Sequence, residues 1–207
     1  MRSDYEPMLI EHRGAQPSVD PSAYVAPTAV LCGDVRVGAD ARVLFGAVVS
    51  GEDGHVEIGE RCVIMENALV RGREAHPVEL GDDVLIGPHA HVNGSTVGRG
   101  AFIATSAALF PGSKVGRNAE VRINGVVHVN TELEDGALVP IGWVAVGTPA
   151  RIIAPWDHDE IWRIQQALDF PRTVYGLSRD AGPRERMEKQ AEWFGAHRDD
   201  RVIGDQA

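Results

Sequence analysis

With 207 residues, 43% hydrophobic and 24% charged, the chain has an ordinary globular composition and is long enough to bury a core without disulfide or metal staples. A formal net charge of −10 argues against nucleic acid or an anionic membrane surface as a main partner. No apolar run approaches the ~20 residues of a membrane span, the start MRSDYEPML lacks a signal-peptide apolar region, and Cys32 and Cys62 make no disulfide framework, so the expectation is a cytoplasmic protein.

Residues 1–16 read as an N-terminal arm. A period of six then begins at Val19 and runs through Val25, Leu31, Val37, Val43 and Val49. It resumes at Ile58, Ile64 and Val70, again at Leu80, Ile86 and Val92, and after one five-residue step continues from Val97 to Ala145. Four residues after these positions the side chain is almost always small, as at Ala29, Ala41, Cys62, Ala90, Ala107, Ala119 and Ala137, with Val35, Val84 and Trp143 the exceptions. Neither a helix (period 3.6) nor a plain strand (period 2) sustains a period of six, and a β-sandwich would not hold two columns in register for so long. A solenoid of short parallel strands does: three hexads close one triangular coil, and each aliphatic residue stacks about 4.8 Å from the one below. Trp143, near the last coil, is placed to cover the open end of the stack. The repeat is interrupted at Ser50–Glu57 and Arg71–Glu79, where function-bearing loops are expected.

The coil domain therefore spans 17–150, and 151–207 is a helical extension with a frayed tail. Asp157 to Glu160 reads as a helix start; Ile161, Ile164 and Leu168 form an apolar face that stops near Pro171. Pro183 opens a second helix with Met187, Ala191 and Phe194 on one side.

The segments GAQPSVDPSAYVAPTAVLCGDVRVG, VVSGEDGHVEIGERCVIMENALV, IGPHAHVNG and VAVGTPARI carry a resemblance to the gamma-class carbonic anhydrase-like family, extending from Gly14 to Ile153. The resemblance implies an all-β solenoid, a left-handed parallel β-helix of hexapeptide repeats followed by C-terminal α-helices. It also implies a homotrimer with zinc held by three histidines between subunits. Carried over position by position, the zinc ligands fall at Arg71, Pro88 and Asn93, none of them histidine. The family's active-site arginine and aspartate fall at Ser50 and Glu52, and its Gln-Asp pair at Met65 and Glu66.

The hexad count puts Ser50, Arg71 and Asn93 on one outer face, and Met65, Glu66, Pro88 and His89 on another. Arg71, Asn93, Glu66, Glu52, Ser50 and His89 are thus the interface-site candidates. No metal is expected unless a site is rebuilt for zinc or iron from His89, His91 and His76. Arg71 puts a permanent cation where the family has a metal, suited to bind a small anion between subunits or to pair with Glu52 or Glu66. Two other functions fit the pattern: a metal-dependent lyase or hydrolase using the rebuilt histidines, and a hexapeptide-repeat acyltransferase with a histidine base. His55 and His128 are expected at the surface.

Overall fold

A computed structural model describes residues 6–203; residues 1–5 and 204–207, the ends of the expected arm and tail, lie outside the described residues. The hexads form a left-handed parallel β-helix with three faces. On one, seven two-residue strands stack in the order Tyr24–Val25, Arg42–Val43, Val63–Ile64, Leu85–Ile86, Phe102–Ile103, Glu120–Val121 and Leu138–Val139. We call this the apolar face. The other two are joined because the strands Val30–Val37 and Val48–Ile58 run continuously around a corner.

Parallel register places like on like. Val49, Val70, Val92, Leu109, Val127 and Ala145 form one inward ladder, and Val43, Ile64, Ile86, Ile103, Val121 and Val139 another. All of these are fully buried. The small column fills the corners, with Ala41, Ala47, Cys62, Ala107 and Ala119 at 0% exposure. At the far end the ladder closes on Trp143, and Arg151–Ile153 folds back antiparallel onto Val144–Val146.

The interruptions are built differently from free loops. Ser50–Glu57 stays within the long strand Val48–Ile58, absorbed by a register shift opposite Gly33 and Val35. The second interruption is a tight turn closed by a bridge between Arg73 and His76. Gly54 packs against the Arg73 backbone so closely that a Cβ there would lie 2.2 Å from it.

The extension consists of α1 (His158–Gln165), α2 (Phe170–Tyr175) and α3 (Pro183–Phe194). The first helical run, α1 with the 3-10 turn Gln166–Leu168, stops just before Pro171, which itself sits in the first turn of α2, where its missing N–H costs nothing. Pro183 does open α3, but the packed side differs from the expected one. Met187 is 57% exposed, whereas Trp193 is partly buried against the coils. Ile161 joins Val146 and Ile153 in a small second core.

From there the extension runs back along a single face. Phe170 meets Phe110 and His128, Phe194 lies over Arg71, and Arg201–Val202 pairs antiparallel with Met8–Glu11, which itself stacks on Val30–Cys32. The expected frayed tail is, as far as Ile203, a strap fastened at both ends. No helix is long and apolar enough to cross a membrane among the described residues.

Candidate functional site

Register brings Ser50, Arg71 and Asn93 side by side on the strapped face, as the hexad count requires. Ser50 and Asn93 are buried, at 4% and 7% exposure. The Ser50 hydroxyl donates to Glu52 Oε1 at 2.8 Å, and Glu52, only 5% exposed, faces Arg71 Nε at 3.5 Å. That nitrogen is buried and has no hydrogen-bond partner among the described residues, and neither does Asn93 Oδ1. Arg71 packs its guanidinium 5.5 Å from the centre of the Phe194 ring, so the strap confines the cation without hydrogen-bonding Nε.

Glu52 also reaches into the strap. His197 Nε2–H donates to Glu52 Oε2 at 2.9 Å, and His197 Nδ1–H donates to Asp200 Oδ2 at 2.8 Å. Burial lowers the His197 pKa, but the hydrogen bond to Asp200 and the charge of Glu52 outweigh it, so the net direction is upward. Asp200 Oδ1 accepts a second imidazole N–H, from His12 Nδ1 at 2.6 Å, and the His12 and His197 rings stack at 4.3 Å. Cys32 Sγ lies 4.0 Å from Asp200 Oδ2. Burial, reinforced by the carboxylates of Asp200 and Glu52, pushes the Cys32 thiol up to about 11.

Other candidates fall elsewhere. Glu66 sits at a corner, where its carbonyl accepts the His89 N–H, and within the chain it is Glu52 that pairs with Arg71. His89 is exposed in the left-handed conformation (φ 57°), and Pro88 lines a groove of about 420 Å³ on the apolar face. His91 is half-buried against Phe110, and burial, with Arg71 adding, lowers its pKa. His76 lies beside Arg73 near α2, and burial lowers its pKa as well. Among the described residues His76, His89 and His91 do not converge on one ion. His128 is the opposite of a surface residue: it is 6% exposed, stacked against Phe110, and burial drives its pKa down to about 4.

No protein-family model matches the chain. Among curated proteins it is 34% identical over 157 residues to gamma carbonic anhydrase 1, mitochondrial, of Arabidopsis thaliana, covering 73% of this chain and 55% of the relative. It is 28% identical over 162 residues to the carnitine operon protein CaiE of Escherichia coli K12 (78% and 80%) and 23% identical over 159 residues to a carbonic anhydrase of Geobacillus kaustophilus (77% and 84%). These similarities support a gamma carbonic anhydrase-like hexapeptide-repeat family. It spans about half the length of the Arabidopsis gamma carbonic anhydrases 1 and 2 that it matches. A solved structure of the Bacillus cereus BC4754 product superposes with a TM-score of 0.52 at 19% identity, covering 89% of this chain and 95% of that one, which shows the shared fold alone.

Within this gamma carbonic anhydrase-like scaffold, the three positions that should hold zinc do not fit it. Arginine stays protonated, proline offers no side-chain donor and asparagine offers a neutral amide, so no chemistry is routed through zinc at those positions. The residues that sequence reasoning missed are His12, Cys32, Trp193, His197 and Asp200. They come from the arm, one coil and the strap, and no repeat links them. The one local signal was the i, i+3 spacing of His197 and Asp200.

Proposed function

We propose that this gamma carbonic anhydrase-like protein binds a small carboxylate-type anion beside Arg71, at an interface between subunits of a homotrimer, and does not run zinc-hydroxide hydration of CO2 at the family's ligand positions. One observation carries the reading: a permanent cation, 26% exposed, with a buried Nε left without a hydrogen bond, stands where the family's first zinc ligand would be. A planar carboxylate matches the fork of guanidinium donors, and Asn93, next in the row, offers an amide.

The trimer part rests on the apolar face. Tyr24, Phe102 and Leu138 on its strands and Phe45, Ile123 and Ile141 in the turns that follow them are each more than 40% exposed, and a second copy would cover such an apolar surface. Pro88 on that face and Arg71 on the strapped face would then be joined across subunits.

Isothermal titration with acetate and bicarbonate, alongside a stopped-flow CO2 hydration assay and solution mass, tests the proposal. Saturable anion binding that falls at least tenfold in Arg71→Ala, with hydration near the uncatalysed rate, is the expected result. Unchanged binding in Arg71→Ala, or rapid hydration, overturns it.

A further inference from the structure

We propose that His12, Cys32, His197 and Asp200 form a tetrahedral site for one zinc-class divalent metal ion, which clasps the arm and the strap to the first coils. This goes beyond the anion reading and does not depend on Arg71. The donor atoms of the four residues all lie within 4.8 Å of one another, although they come from three separate segments. His12 belongs to the arm turn His12–Ala15, Cys32 to the coil strand Val30–Val37, and His197 and Asp200 to the short turn of helix and the residue that follow α3.

The chemistry of the set is selective. Two neutral imidazoles, one thiolate and one carboxylate make up a four-coordinate donor group that suits zinc, cobalt or ferrous iron and does not suit magnesium or calcium. Thiolate and carboxylate together carry −2, which neutralises a divalent ion in a place too dry to leave charge uncompensated: His12 is 1% exposed and Cys32 4%. On binding, the Cys32 S–H bond breaks, the sulfur pair forms the metal bond and the proton passes to solvent. His197 likewise releases its Nδ1 proton.

Two further observations point the same way. His197 turns Nδ1 toward Asp200 and gives its Nε2–H to Glu52, the arrangement in which an outer carboxylate orients a ligating histidine. The hydrogen-bonded cluster without an ion is also poorly balanced. Two imidazoles crowd one carboxylate, and the buried His12 Nε2 has no partner among the described residues.

Cobalt(II) titration of the metal-stripped full chain tests the proposal. Expected is one equivalent per chain, with tetrahedral d–d bands and a sulfur-to-cobalt charge-transfer band. Cys32→Ser and His197→Ala abolish the spectrum, and Glu52→Gln weakens affinity about 10–100-fold. Cys62→Ser, His89→Ala, His91→Ala and Arg71→Ala leave it intact. Because Cys62 is the other thiol in the chain, the charge-transfer band of Cys62→Ser reports Cys32 ligation even if Cys32→Ser misfolds. Absence of saturable binding at one equivalent, a spectrum without the sulfur band, or binding that follows His89 or His91 overturns the site. Failure of the anion reading shows instead as Arg71-independent anion binding, which no cobalt result can mimic.

Discussion

Ile86 and Trp193 hold down two kinds of structure. Ile86 lies between Ile64 and Ile103 in a ladder where each residue meets its own kind one coil away, fully buried. Trp193 is fixed by a few unlike contacts: its indole N–H donates to Asp53 Oδ2 at 2.8 Å, and the Arg73 guanidinium lies 4.0 Å from its ring centre. The coils are stabilised by repetition, so their information is spread over a period. The strap is stabilised by individual anchors that no repeat links. The difference teaches where function is free to change in such a scaffold: the ladder tolerates little, while the strap and the corner it covers can be rewritten residue by residue.

The contrast is easiest to break at the ladder. Ile86→Ala is expected to cost about 3–4 kcal/mol and to shift the whole urea transition, because the coils above and below cannot collapse into the hole. A shift confined to part of the transition would mean that the coils melt independently.

Acid comes next. His128 lies under the strap between Phe110 and Phe170, with its pKa near 4 in the fold against about 6.5 when unfolded. A lowered histidine pKa means that the unfolded chain takes up the proton first. The contribution is therefore full above pH 6.5, falls by up to about 3 kcal/mol as pH drops to 4, and is level below that. Thermal midpoints measured across this window should flatten in His128→Phe. An unaltered pH profile would show that the ring is already solvated.

Smaller is the corner effect at Gly100, which has φ +72° and where a Cβ would come 2.4 Å from Asn118 Oδ1. Gly100→Ala should cost roughly 1–2 kcal/mol, read as a global shift in midpoint.

The smallest global effect belongs to the strap. Trp193→Ala should move the overall midpoint little, yet speed amide exchange at least tenfold over Pro183–Ile203, since opening there leaves the ladder intact. Exchange that rises equally in the coils would erase the distinction between the two regions.

The same distinction explains what was readable. The ladder from Leu31 to Ala145 and the row Ser50, Arg71, Asn93 followed from counting in sixes, because parallel stacking turns sequence spacing directly into neighbourhood. His128 was misplaced because the hexad puts it on the outside of a coil, and only the strap, which the hexad does not describe, buries it. The same is true of the helix face carrying Met187. The contact between His12 and Asp200 spans 188 positions with no pattern between them, so nothing in the periodicity could have joined them.

The pairing of Met8–Glu11 with Arg201–Val202 gives the chain a further property. The rest of the solenoid can grow one turn at a time as it leaves the ribosome, each new rung laid on the last. The opening rung cannot: its outer edge stays bare, an invitation to a neighbouring nascent chain, until nearly two hundred more residues have been made. The segment that seals this edge against aggregation is thus made long after the edge itself.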